Sequence, residues 1–215
     1  MTDTAAPDAL LLLSTHCPHC PTVLAGLAEL VKQGTIGRLE VVNLERHPEV
    51  ARQYGVRSVP WVRIGPLQLT GLHSQAELAE WARKAASPEG LRDWIVERMT
   101  GGDVQAVVAA VRRDPAVLDA VIDLLADPDA EITARIGIGV VMEELEGSEL
   151  LRSRIDRLGE LTRHEHPAVR TDACHYLSLS HDPAARPWLE RCLQDADPGV
   201  REVAEEGLAA LAEGD

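Results

Sequence analysis

Phenylalanine is absent from this chain of 215 residues, and lysine occurs only twice, as Lys32 and Lys84. Arginine and alanine are plentiful instead, a pattern that speaks of coding bias more than of function. No apolar run reaches the roughly 18 residues that a membrane-spanning helix requires, so a membrane is not an expected partner. A basic excess is also missing: 21 Lys+Arg stand against 35 Asp+Glu, a net charge of −14. Nucleic-acid binding neutralises phosphates with Lys and Arg, so nucleic acid is not an expected partner either. The stretch Met1 to Ala9 carries Asp3 and Asp8 but no basic residue, and does not read as a secretory signal. Taken as the whole native chain, the sequence is expected in the cytoplasm, where thiols are kept reduced. Cysteine is scarce, with four in all. In that compartment a close pair is expected to be catalytic or sensory rather than structural.

Such a pair is present. Cys17-Pro18-His19-Cys20 directly follows the apolar run Ala9 to Leu13. A strand that ends in Cys-x-x-Cys and enters a helix presents a redox dithiol to a substrate. With Ser14 to His16 as the turn, Cys17 is expected at or near the N-cap of a helix that begins at Pro18. The positive end of that helix favours thiolate at Cys17. Pro18 suits the first helical position, where its missing N–H costs nothing. His19 adds a donor or a positive group beside the thiolate. Cys20, one turn further in, is expected to be shielded and to resolve a mixed disulfide formed on Cys17. A metal reading uses the same cysteines with His16 or His19. A closed zinc site wants four ligands, however, and the sequence has no second Cys-x-x-Cys. No metal and no cofactor is expected.

The residues that follow build a small α/β unit. Val23, Leu24, Leu27, Leu30 and Val31 recur at helical spacing, and Gly34 offers a stop. Leu39 to Leu44 reads as a strand, and Pro48 to Tyr54 as a short helix ended by Gly55. Pro60 leads the strand Trp61 to Ile64, which is unusual for proline and compatible with a cis bond. Gly65-Pro66 turns into a returning strand, Leu67 to Thr70, and Ala76 to Ala85 is an amphipathic helix. The expected order is β-α-β-α-β-β-α.

Residues 8–86 resemble the thioredoxin superfamily in its short, glutaredoxin-like form, as in protein disulfide oxidoreductase modules. The resemblance rests on the Cys17 to Cys20 motif followed by Pro21. It rests too on Pro48-Glu49-x-Ala51-x-x-Tyr54-Gly55-Val56-x-Ser58-Val59-Pro60. It implies a mixed four-stranded sheet and a cis-proline at Pro60 facing the dithiol. It also implies a backbone at Val59 that receives an extended substrate peptide. Trp61 is expected to pack near Pro60 on the domain surface or to line the substrate groove, and His16 and Pro18 are expected to bind substrate. The Cys-Pro-His-Cys tetrapeptide is similar to that of strongly oxidising periplasmic oxidants. One position departs from the family. Thioredoxins place a buried acid six residues before the first cysteine, and here that residue is Leu11. His16, His19 or water would then have to move the proton.

From about Pro88 the strand signals stop. Three segments resemble one another: Asp127-Pro128 through Leu145, His166-Pro167-Ala168-Val169-Arg170-x-x-Ala173 through Leu177, and Asp197-Pro198-Gly199-Val200-Arg201-x-x-Ala204 through Leu208. Each opens on a capping residue and a proline, and a repeat of this kind marks a helical solenoid. The pattern looks like HEAT-like repeats. That resemblance implies arginine contacts to a loop aspartate, matched by Arg170 and Arg201. In the first segment Thr133 takes the place at an offset of two, so that repeat reads as degenerate. Residues 88–126 read as an atypical helical cap, with Trp94, Ile95, Val107, Val111, Leu118, Val121 and Leu125 apolar. Cys174 and Cys192 fall on antiparallel helices where they can be neighbours, as buried filler or as a second redox pair. His164, His166, His175 and His181 crowd the same repeat with poor ligand spacing.

Two domains are therefore expected, 1–87 and 88–215, and 45% apolar content suffices for two cores. Residues 1–87 hold 8 basic and 8 acidic side chains, whereas 88–215 hold 13 and 27, so all the excess charge lies on the helical half. A basic protein surface is the partner such a face attracts. The expected function is a thiol–disulfide oxidoreductase in general dithiol–disulfide exchange with a protein client, reduction favoured over oxidation or isomerisation, and a thiol reductant upstream. Tethering by the acidic repeats would raise the client's effective concentration. The alternative is a non-enzymatic interaction scaffold whose thioredoxin-like half is a redox-responsive docking module.

Overall fold

Strand β1 (Ala9–Leu13) is apolar at all five positions because it is covered on both faces. The structure, a computed structural model, describes residues 6–213; the first five residues of the Met1 to Ala9 stretch lie outside it. Beyond β1 come α1 (Cys20–Lys32), β2 (Leu39–Asn43), α2 (Pro48–Tyr54), β3 (Trp61–Ile64), β4 (Leu67–Thr70) and α3 (Gln75–Ala85). The order is the one expected. The sheet runs β2-β1-β3-β4, with β1 parallel to β2 and antiparallel to β3, and β3 antiparallel to β4. It is the mixed four-stranded sheet that the resemblance implies.

Alternation along β1 sorts the core. Ala9 and Leu11 face α1 and α3, among Val23, Leu27, Leu30, Val62, Ile64, Leu78 and Ala82. Leu10 and Leu12 face the other way with Trp61, under Val42, Leu44, Val50, Tyr54 and Val56. The helices stop and start where the chemistry says. Gly55 caps α2 in the left-handed region at φ 64°, which glycine adopts without a Cβ penalty. Ser74 and Glu77 close a capping box on α3, each accepting the other's backbone N–H.

Helix α4 (Pro88–Thr100) carries the division of the chain. One compact unit runs to Trp94 and the next starts at Ile95, where the sequence puts the break at 87/88. The second unit is helical throughout: α5 (Val104–Arg113), α6 (Pro115–Leu125), α7 (Ile132–Glu143), α8 (Glu149–Arg152), α9 (Ile155–Leu161), α10 (Pro167–Ser178), α11 (Arg186–Cys192) and α12 (Pro198–Glu213). A 3-10 turn, Pro183–Ala185, leads into α11. Val107 and Val111 of α5 are buried, as are Val117, Leu118, Val121, Ile122, Leu124 and Leu125 of α6. Helix α10 packs along α12 and α9.

The repeat register needs one correction. Arg135, Arg170 and Arg201 are each the fourth residue of their helices, α7, α10 and α12. Arg135, rather than Thr133, is thus the ladder residue of the first repeat, four positions beyond the motif spacing instead of two. The cause is local. Asp127 accepts backbone N–H bonds from Asp129 and Ala130 and spends Pro128 in a turn, so α7 starts only at Ile132. Arg135 pairs with Asp172 of α10. Arg170 grips Asp195 with two donors, at 2.8 and 2.7 Å, and donates to the carbonyls of His164 and Glu165 at 2.8 and 2.9 Å. Arg201 donates to the carbonyls of Asp195 and Ala196, at 2.6 and 3.1 Å.

Packing between α9 and α11 depends on Gly159. A Cβ there would lie under 3.0 Å from the Trp188 ring, which cannot yield like a flexible chain end. Gly159→Ala is therefore expected to destabilise the helical unit by about 1–3 kcal/mol, the usual cost of overpacking. Urea unfolding followed by circular dichroism checks this, and an unchanged midpoint would refute it.

Candidate active site

The loop after β1 carries the two cysteines, and they are joined as a disulfide with 5.5 Å between their Cα atoms. Their environments differ. Cys17 is half-buried, whereas Cys20, in the first turn of α1, is 3% exposed. The helix begins at Cys20, not at Pro18 as the sequence suggested. Its N-cap is His19, and the proline in the first turn is Pro21. Pro18 belongs instead to the turn that the cysteines close. The electrostatic consequence survives this shift. Cys20 donates its backbone N–H to Cys17 Sγ at 3.1 Å, so a first-turn amide of α1 points at the outer sulfur.

Register places the rest. Leu12 pairs with Trp61 across β1 and β3, so Val59 and Pro60 lie at the sheet end from which the cysteine loop emerges. The Val59–Pro60 peptide is cis. Val59 is half-buried and precedes the strand ladder, which begins at Trp61. Pro18, His16 and His19 are exposed. Trp61 departs from expectation. It is 5% exposed and packs with Leu10 and Leu12, its ring 5.3 Å from that of Tyr54. Its place on β3 turns the side chain toward α2, so it is a core residue and leaves the substrate-facing set.

Leu11 is fully buried in the α1–α3 face of the core, where the family pattern has an acid. The carboxylate nearest the loop in these contacts is Glu45, which sequence reading missed. Its Oε1 accepts the Thr15 backbone N–H at 2.9 Å and lies 3.4 Å from His16 Nδ1. Asn43 continues the anchor: its Nδ2 donates to Thr15 Oγ1 at 3.1 Å, and its Oδ1 accepts the Glu45 N–H at 2.9 Å. Thr15, through its hydroxyl and then its N–H, holds the Glu45 carboxyl below its ordinary range, with His16 adding to the effect. Nothing at a spacing of thirty residues announces such a contact. The pairing of β1 with β2 creates it, because Leu44 donates to the Leu13 carbonyl and sets Glu45 beside Thr15.

The four histidines of the repeats have local partners. His164 Nδ1 accepts the His166 N–H at 3.2 Å, and the two rings lie 5.6 Å apart. The His175 ring lies 5.4 Å from that of Tyr176, tilted by 52°, and His181 pairs with Glu146.

The sheet order, the cysteine loop and the helical ladder together define a two-part molecule. Residues 9–83 match the thioredoxin domain family, and residues 141–209 match the HEAT repeats family. The chain carries a thioredoxin domain followed by HEAT repeats. A thioredoxin from Methanocaldococcus jannaschii is 29% identical over 76 residues, which cover 34% of this chain and 89% of that protein. A thioredoxin domain with a closed cysteine pair points to redox function of the thiol–disulfide type, and HEAT repeats point to protein interaction. Among the described residues no helix is long and apolar enough to cross a membrane.

Proposed function

We propose that this chain is a thiol–disulfide oxidoreductase that acts on a protein client recruited by its acidic helical repeats. The observation that carries the reading is the asymmetry of the cysteine pair. The half-buried sulfur of Cys17 takes an N–H from the start of α1, while Cys20 sits beneath it at 3% exposure. In the reduced state the Cys17 thiolate attacks a client disulfide. One client sulfur leaves and takes a proton, and the other stays joined to Cys17. Cys20 then loses its proton and attacks Cys17 Sγ, which frees the second client thiol and leaves the Cys17–Cys20 disulfide. A thiol reductant returns the pair to the dithiol. Pro60 and Val59 border the extended client backbone, and His19, Pro18 and His16 form the exposed rim. Leu11 gives Cys20 no buried base, so its proton leaves toward water or the rim histidines. The reading places the cycle in a reducing compartment, the cytoplasm.

The helical half contributes attraction. It bears the entire net charge of −14, and α7 exposes Ile132 and Ile136 one turn apart, at 76% and 63%. A client with a basic, partly apolar surface complements both features, and its capture should weaken as salt rises. Cys20→Ser tests the reading. Cys17 still attacks but nothing resolves the adduct, so mixed disulfides with the client should accumulate and disappear with reductant. No trapped protein from a lysate at low salt would overturn the enzyme reading. The second reading, a redox-responsive docking module, draws on the same Leu11: without a buried acid the dithiol is suited to slow switching as well as to turnover.

A further inference from the structure

Cys174 and Cys192 take no part in the cycle above. Cys174 lies on α10 and is 0% exposed; Cys192 ends α11 and is 4% exposed. The two helices pack together, both thiols are free, and each is the largest electrostatic influence on the other. Thr162, whose hydroxyl donates to the Gly159 carbonyl at 2.6 Å, also acts on the Cys192 sulfur. The Arg170–Asp195 pair flanks the same spot, one turn before Cys174 and one turn after Cys192, with Asp195 donating its N–H to the Cys192 carbonyl at 3.0 Å. Ordinary core cysteines sit among hydrocarbon; these two act on each other beside a closed Arg170–Asp195 ion pair.

We propose that Cys174 and Cys192 form a second redox site, a dithiol oxidised by small peroxides to a disulfide that ties α10 to α11. The burial selects the oxidant. A protein disulfide cannot reach either sulfur in the folded repeats, whereas hydrogen peroxide is little larger than water. The roles divide by environment. The hydrogen bond from Cys174 holds the Cys192 thiol below its ordinary range, while that contact and burial push Cys174 up. Cys192 also has the residual exposure. Its thiolate attacks one peroxide oxygen, the O–O bond breaks, and hydroxide leaves to take up the proton Cys192 gave, forming water and a sulfenic acid on Cys192. The Cys174 sulfur attacks that sulfur and expels its hydroxide, which takes the Cys174 proton as a second water. Two thiols are oxidised, and one peroxide is reduced to two waters. The new bond fixes the repeat whose closing loop holds Asp195.

The test uses the full chain carrying Cys17→Ser and Cys20→Ser, so that the first dithiol cannot contribute. The reduced protein is treated with stoichiometric hydrogen peroxide without denaturant, then alkylated in denaturant and weighed. The expected result is loss of two hydrogens, no alkylated thiol and a Cys174–Cys192 cross-linked peptide. Adding Cys174→Ser, whose hydroxyl can still donate to Cys192 but cannot resolve, should leave a sulfenic acid on Cys192 that dimedone traps; adding Cys192→Ala should abolish oxidation. Two alkylated thiols after peroxide, a cross-link formed only in denaturant, or dimedone labelling at Cys174 would overturn the proposal. The same peptide sought in the unmutated chain guards against a folding defect in the variant.

Discussion

Cys17→Ser is expected to bring disulfide exchange down to the uncatalysed background, a loss of about 10³-fold or more, the scale seen when the group forming a covalent intermediate is removed. Serine is nearly isosteric but has no accessible anion at neutral pH, so neither the attack nor the helix-end stabilisation of a thiolate remains. Cys20 cannot substitute, because at 3% exposure a client disulfide does not reach it. Initial rates with an insulin-type or small aromatic disulfide, reductant in excess, supply the measurement. Residual turnover above a few per cent would mean that Cys20 or a repeat cysteine carries the chemistry. The comparison with Cys20→Ser separates the two readings. An oxidoreductase loses turnover with both variants and traps client with Cys20→Ser alone, whereas a docking module keeps its partner with either.

Arg170→Ala is the second large effect, on stability rather than chemistry. Both partners of the Arg170–Asp195 pair are 13% exposed. Arg170 makes four hydrogen bonds, two to the carboxylate and two to loop carbonyls. Truncation leaves a nearly buried carboxylate with only the Asp197 N–H, at 2.9 Å, and strips the two loop carbonyls of the guanidinium. A buried pair broken on one side costs more than the pair itself contributes, here about 2–3 kcal/mol. Lysine keeps the charge but not the fork, and should recover only part. The pH dependence has a definite sign. Arg170, chiefly by hydrogen bonding, holds the Asp195 carboxyl below its ordinary value. A depressed carboxylate stabilises above its unfolded value of about 3.9 and loses that contribution as pH falls through the lower folded value. The destabilisation by Arg170→Ala should therefore be full at pH 7 and shrink well below pH 4. Helical unfolding curves at several pH values check it, and a difference independent of pH would rule out the carboxylate as the source.

How much of this was legible in the sequence depended on whether the signal was local. Strand β1, α2 with its Gly55 stop and the β3–β4 hairpin at Gly65-Pro66 read directly, because apolar runs and turn residues act within a few positions. The close cysteine pair read from its spacing, and the cis bond at Pro60 from a proline at the head of a strand together with the family resemblance. The start of α1 did not, since two prolines three residues apart offer equal claims to the first turn and only the fold chooses Pro21. Trp61 was misjudged because alternation places it on a face, and the face covered by α2 cannot be told from an open one without α2 in position. Glu45 and Arg135 were invisible for different reasons. The first acts across a strand pair, and the second was displaced by a turn that consumed the proline expected to start its helix.

Strand order has one more implication. β1 lies inside the sheet, bonded on one side to β2 and on the other to β3. Interior strands open only with the global transition, so their amides are the slowest to exchange with solvent. The cysteine loop is rooted in that strand and pinned at Thr15, while its outer residues face water. In the proposed cycle the sulfurs can thus open, pair with a client and close again without slackening at the base, and the tip keeps its aim for as long as the unit is folded at all.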